Sequence, residues 1–181
     1  MSKNWSYTIH EEGHPHNGKT LWSGRYCAVC GVVLFYNENT GETFALANKR
    51  GNGTPDYQGF WNLPCGFLEA NESGQQGVAR EVYEETGVKM EIDRLGFVHE
   101  CFFPGDTEFR KGNIVHEISF FFYMKVPKDF EPVCYSFTED GNPEYLKWIT
   151  TDETQTFYPE FFRTELKNPS RNVKQYVTRD V

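Results

Sequence analysis

GFLEANESGQQGVAREVYEETGV, residues 66–88, contains a helix with both of its ends marked. Ser73 followed three positions later by Gln76 is a capping box, in which each side chain satisfies a backbone N–H that a first helical turn leaves unpaired. Gly87 suits the left-handed residue that closes many helices. The spacing therefore predicts a helix over residues 73–86. At about 100° per residue, Glu81, Glu84 and Glu85 stand at i, i+3 and i+4 and share one face. Val78, Ala79, Val82 and Tyr83 fall elsewhere and give the helix an apolar face to bury. Gly77 sits among the carboxylates, although glycine costs a helix interior about 1 kcal/mol relative to alanine. Space for a ligand is the expected reason.

Outward from this helix, the chain alternates strands with loops. Residues 27–36 are apolar and rich in Val, and read as a buried strand; a second follows a turn at Thr40-Gly41 and covers residues 43–48. Residues 50–62 carry Gly, Pro, Asn and Asp, which predicts a loop. Strands are expected over residues 91–102 and 114–126, split by a loop over 104–113, and again near 145–150. A helix is expected over 159–167. This order predicts a mixed sheet flanked by helices, in the α/β or α+β class. The division reads as an N-terminal extension (1–24, with His10, His14 and His16 and a short strand at 5–10), a domain over 25–167 and a polar tail over 168–181.

The 181 residues suit one domain, with 38% hydrophobic and 24% charged residues as in globular chains. Sixteen Phe and ten Tyr point to an aromatic core. A net charge of −8 without a long basic run argues against a duplex nucleic-acid binder. The most apolar run, residues 118–124, is strand-sized and too short to cross a bilayer, and the N-terminus lacks an apolar signal core. Five irregularly spaced cysteines fit reduced thiols, so a cytoplasmic location is expected. Cys27-x-x-Cys30 resembles half of a zinc site, but positions three apart on a strand point to opposite faces, and no second close pair completes it.

Three carboxylates on one helix face repel each other by a few tenths of a kcal/mol per pair. A solvated acidic face would tolerate that. The competing explanation is a hard divalent cation, Mg²⁺ or Mn²⁺, bound by these oxygens together with phosphate oxygens of a substrate. Such an ion polarises phosphorus and lowers the pKa of bound water.

The full spacing, Gly66-x5-Glu72-x7-Arg80-Glu81-Val82-x-Glu84-Glu85-x-Gly87-Val88, separates the two. It resembles, at every position, the Nudix box of the Nudix hydrolase family. Agreement of seven fixed residues by chance is on the order of one in 10⁹ windows. A looser resemblance extends over residues 25–165, with Leu63-Pro64 before the box and Trp148 near the last core strand. Cys65, before Gly66, departs from the glycine common there.

The resemblance implies an α/β/α sandwich and Mg²⁺- or Mn²⁺-dependent hydrolysis of a nucleoside diphosphate linked to another moiety. It makes Glu84, Glu85 and the Gly66 carbonyl metal ligands, and Glu81 a ligand or the water-activating base. Glu72 and Arg80 become orienting residues paired with each other. A further acidic catalytic group is expected downstream, with Glu144 preferred over Glu117 and Glu139. Arg50 is a candidate phosphate contact. Phe103, with Phe102 and Phe109 as alternatives, is a candidate for stacking on a base. Pro104, sixteen residues past Val88, resembles the proline of some ADP-ribose pyrophosphatases, and a homodimer is implied. The alternative from another class is a Nudix-like module that binds a nucleotide without cleaving it; a structural zinc protein is a third.

Overall fold

Val29, Gly31 and Val33 alternate with Ala28, Cys30 and Val32, and a strand sends such rows to opposite faces. In the computed structural model, which describes residues 25–49, 59–105, 112–131, 136–137, 143–144, 146–152 and 156–180, both rows are buried. All of them except Val33 belong to β1 (Arg25–Val32) of a five-stranded mixed sheet. The other strands are β5 (Cys65–Phe67), β6 (Glu91–Pro104), β7 (Ile114–Lys125) and β11 (Lys174–Arg179), in the order β11-β6-β7-β1-β5. β1 runs parallel to β7 and antiparallel to β5, while β11 runs parallel to β6. A smaller sheet joins β2 (Leu34–Asn37), β3 (Glu42–Lys49) and β10 (Lys147–Thr150), with β4 (Trp61–Asn62) also on β3. β8 (Ser136–Phe137) pairs with β9 (Pro143–Glu144).

One helix lies on each face. α1 (Gly74–Thr86) packs Val78 and Val82 onto the row of Val29, with Phe122 and Met124 of β7. A Cβ at Gly31 would lie 2.2 Å from Val82 Cγ2, so this close approach requires glycine. α2 (Phe162–Lys167) packs Phe162 and Leu166 against Cys30, Val32, Phe97, Phe121 and Tyr123 on the other side. Phe97 stacks on Phe121 at 4.3 Å between centroids, and Phe162 meets Phe121 edge-on at 5.2 Å. Each such ring stabilises the core by about 1.5–3 kcal/mol through burial. The class is the expected mixed-sheet α+β arrangement.

Several elements differ from the sequence reading, among them β4, which makes a strand of the last two residues of the loop expected over 50–62. The strand expected over 27–36 breaks at Val33, whose carbonyl accepts a bond from Leu46 N at 2.9 Å as the chain passes from one sheet to the other. The helix expected over 159–167 is helical only from Phe162. Its first residues are held by i→i+3 bonds, Phe162 N to Pro159 O and Arg163 N to Glu160 O, a tighter turn than an α-helix makes. Residues 174–179, read as part of a polar tail, form β11. Its inward row is Lys174, Tyr176 and Thr178; the first two bond to Glu165 at 2.7 Å each and the third to His99 at 2.9 Å. The strand is polar because its anchors are polar. Residues 1–24, with the strand expected at 5–10 and the three histidines, lie outside the described residues.

Candidate functional site

Both marked ends of the helix are present. Ser73 Oγ accepts from Gln76 N at 3.3 Å, Gln76 Oε1 accepts from Ser73 N at 2.9 Å, and Gly87 adopts φ 70° with its N–H donating to Tyr83 O. The buried face is not the expected one. Val78 and Val82 are buried, but Ala79 and Tyr83 are exposed, and Gly77, Glu85 and Thr86 complete the buried set. Gly77 also has another role than clearing room for a ligand. A Cβ there would meet Leu68 Cδ2 at 2.6 Å, Glu72 Oε2 at 2.9 Å and Val29 Cγ2 at 3.2 Å, so the space is filled by the protein's own side chains.

Arg80 is the hub of the carboxylate face. Its Nε donates to Glu72 Oε1 and its Nη2 to Glu72 Oε2, both at 2.9 Å, the bidentate geometry that only a guanidinium provides. Nη2 also donates to Phe67 O at 3.0 Å. Nη1 reaches Glu81 Oε1 at 2.6 Å and Glu84 Oε2 at 3.2 Å. The Arg80 hydrogen bond, with the Glu69 N–H, holds the Glu72 carboxyl below its ordinary pKa. Pairing with Glu72 in turn pushes the Arg80 pKa further up. Glu81 is raised instead: burial pushes it up, and the Arg80 contact offsets only part of that.

Gly66 explains the position of Glu81. In β5 it pairs with Val29, and a Cβ built on it would fall 2.1–2.3 Å from the atoms of the Glu81 carboxylate. That carboxylate therefore rests on bare backbone. Glu85 points to the buried side, where its Oε1 accepts from Cys65 N at 2.9 Å. A half-buried carboxylate, an exposed one and a buried one thus line the junction of α1 and β5 beside one guanidinium.

The NUDIX domain family model matches residues 26–172, most of the chain. The chain belongs to the NUDIX family. It is 41% identical over 73 residues to a MutT-like protein of Streptomyces ambofaciens, covering 40% of this chain and 41% of that protein. It is 28% identical over 93 residues to Phosphatase NudJ of Escherichia coli strain K12, covering 51% and 53%. The chain spans about half the length, or less, of the curated relatives it matches. The crystal structure of a MutT protein from Methanosarcina mazei Go1 aligns with a TM-score of 0.50 at 27% identity, over 81% of this chain and 94% of that one.

NUDIX proteins generally use a divalent metal. Among the described residues no three His, Cys, Asp or Glu side chains are gathered closely enough to hold an ion as they stand. Arg80 Nη1 lies between Glu81 and Glu84. The donors nonetheless fit a hard cation: carboxylate oxygens on one helix face, with a backbone cradle at Gly66 that lets Glu81 approach. The zinc reading of Cys27 and Cys30 ends here, since Cys27 is exposed and Cys30 buried on the opposite face.

The other candidates are scattered. Arg50, Glu139 and Phe109 lie outside the described residues, as does the Glu144 side chain, whose backbone is in β9. Glu117 accepts from Ser119 Oγ at 2.6 Å. Phe103 is 6% exposed and packs with Cys101 and Val115, a core position that leaves no open ring face for a base. Phe102 stacks on His116 at 4.3 Å and lies under the Arg179 guanidinium at 3.9 Å. Pro104 ends β6. Two contributors escaped the sequence reading, the Phe67 carbonyl and the Cys65 N–H. Both are backbone groups, which residue type does not reveal.

Proposed function

We propose that this NUDIX chain is a pyrophosphohydrolase that uses Mg²⁺, or Mn²⁺ in its place, to split a nucleoside diphosphate linked to another moiety. ADP-ribose or a nucleotide sugar is the first substrate class and a nucleoside triphosphate the second. Water adds to a phosphorus of the diphosphate, and a nucleoside monophosphate and a phosphorylated product leave. The observation that carries this reading is the carboxylate face of α1 set against Gly66 and organised by Arg80.

Glu84, Glu85, Glu81 and the Gly66 carbonyl would hold the metal, which supplies charge for the phosphate oxygens and acidifies bound water. Arg80 keeps its fork on Glu72 and neutralises part of the carboxylate repulsion. Glu81, desolvated and raised in pKa, is suited to accept a proton from water, and Glu144 is the reserve for that role. Cys65 N fixes one oxygen of Glu85, and so orients the whole carboxylate. Arg50 is assigned to a substrate phosphate. A cytoplasmic homodimer belongs to the same proposal.

The test is a panel of ADP-ribose, nucleotide sugars, dinucleoside polyphosphates and nucleoside triphosphates with Mg²⁺ or Mn²⁺, with products identified by mass. Release of a nucleoside monophosphate is expected. Tight binding without cleavage of any of them would instead make the chain a nucleotide-binding module.

A further inference from the structure

The cross-strand neighbour of Cys65 is Cys30. The register of β1 and β5 decides how close the two can come. Gly31 N donates to Pro64 O at 2.8 Å and Leu68 N to Cys27 O at 2.9 Å, so the pairs 31/64 and 27/68 are hydrogen-bonded ones. By alternation Cys30 and Cys65 form a non-hydrogen-bonded pair, where Cα atoms approach to about 4.5 Å and side chains are closest. That separation lies at the short end of the range that a disulfide spans, about 4.4–6.8 Å. The two thiols already share a hydrogen bond. Cys30 is buried in the α2-side core, while Cys65 is partly exposed and packs against the same core. Asn62 Nδ2 donates to Cys65 Sγ at 3.1 Å.

We propose that Cys30 and Cys65 are an oxidation site that closes to a disulfide with a peroxide and lowers turnover at the adjacent carboxylates. Cys65 sulfur attacks one peroxide oxygen; the O–O bond breaks, and hydroxide leaves with the thiol proton as water. Cys30 sulfur then attacks the Cys65 sulfenic sulfur and displaces a second hydroxide, which takes the Cys30 proton. Two thiols and one peroxide become one disulfide and two waters, with two electrons passing to the oxygens.

The bridge bears on the site through two contacts already described. Cys65 N holds Glu85 Oε1, and the next residue is the Gly66 on which the Glu81 carboxylate rests. Any shift of β5 that accommodates the bridge moves both. Bond formation stands without the hydrolase reading; the loss of turnover rests on it.

The experiment uses the full chain with Cys27→Ser, so that tryptic peptide 26–49 carries Cys30 as its one cysteine and peptide 51–80 carries Cys65. Hydrogen peroxide should link these two peptides, and dithiothreitol should release them. Turnover should fall about ten- to a hundredfold on oxidation, the range for a lost supporting contact, and return on reduction. Free thiols after peroxide, a link to another cysteine, or the expected link with unchanged turnover would each overturn the proposal. A reduced protein that cleaves no phosphoanhydride sinks the hydrolase reading instead, and the peptide masses then decide the bridge alone.

Discussion

A methyl group at Gly66 would compete with Glu81 for the same space, since its carbon would lie 2.1 Å from Glu81 Oε1. The atom that must move is the end of a flexible side chain, not backbone. Gly66→Ala should therefore fold normally and misplace Glu81. Turnover should fall about ten- to a hundredfold, with an unchanged melting temperature; wild-type turnover in that variant would detach Glu81 from the chemistry. Glu84 gives the complementary case. Its side chain is 55% exposed, so Glu84→Gln should alter stability by less than about 0.5 kcal/mol. Turnover should nonetheless drop at least about a hundredfold if the carboxylate serves a metal, and urea unfolding beside steady-state rates separates the two effects. Helix periodicity made the shared face of Glu81, Glu84 and Glu85 legible, whereas the pairing of Arg80 with Glu72, which precedes α1, came only from the resemblance to the Nudix box. The reason for Gly77 was not legible. Its neighbours Leu68 and Val29 come from the segment before α1 and from β1, and only the fold brings them there.

Between elements, the junction of β6 with β11 has a pH dependence that can be signed. His99 is 3% exposed, bonded through Nε2 to Thr178 Oγ1 and packed edge-on to Phe161 at 5.0 Å. Burial pulls its pKa down to about 4, against an opposing pull from Asp180. The unfolded chain binds this proton near pH 6.5 and the folded chain only near 4, so the unfolded state holds more protons between those values. Stability is thus full above pH 6.5 and declines as pH falls toward 4, by up to about 3 kcal/mol for this group. His99→Asn should unfold in urea with a shallower pH slope across that window. Equal slopes in the two proteins would mean that His99 is not buried neutral. The helix α1 and strands β1, β3, β6 and β7 were visible in the apolar pattern. β11 was hidden because its inward row spends polar groups on Glu165 and His99, and a hydropathy pattern cannot distinguish that from solvent exposure.

Across the whole molecule, β11 closes the edge of the sheet on the α2 side, while the carboxylate face belongs to α1 and β5 at the opposite edge. Glu165 ties the two parts of the α2 side together. It is fully buried, accepts from Lys174 Nζ and Tyr176 OH at 2.7 Å, from Ser170 N at 3.1 Å and from Tyr123 OH at 3.3 Å. Burial alone would raise its pKa; the hydrogen bonds from Lys174, Tyr176 and Ser170 outweigh this and lower it. Tyr176 also stacks on Phe161 at 3.9 Å. Removing residues 174–181 would take from Glu165 its cation and the Tyr176 hydroxyl, and should lower stability in urea. Adding Glu165→Gln to the truncated chain should recover part of that loss, because a neutral amide is cheaper to bury than a charge. The same substitution in the full chain should destabilise, because Lys174 then loses its counter-charge. This opposite sign distinguishes a buried-charge effect from simple loss of strand pairing. Substrate turnover per folded molecule should be retained in all three proteins, since the site lies across the sheet. Urea unfolding with parallel rate measurements reads both quantities, and a truncated chain as stable as the full one would show that β11 does not secure the core.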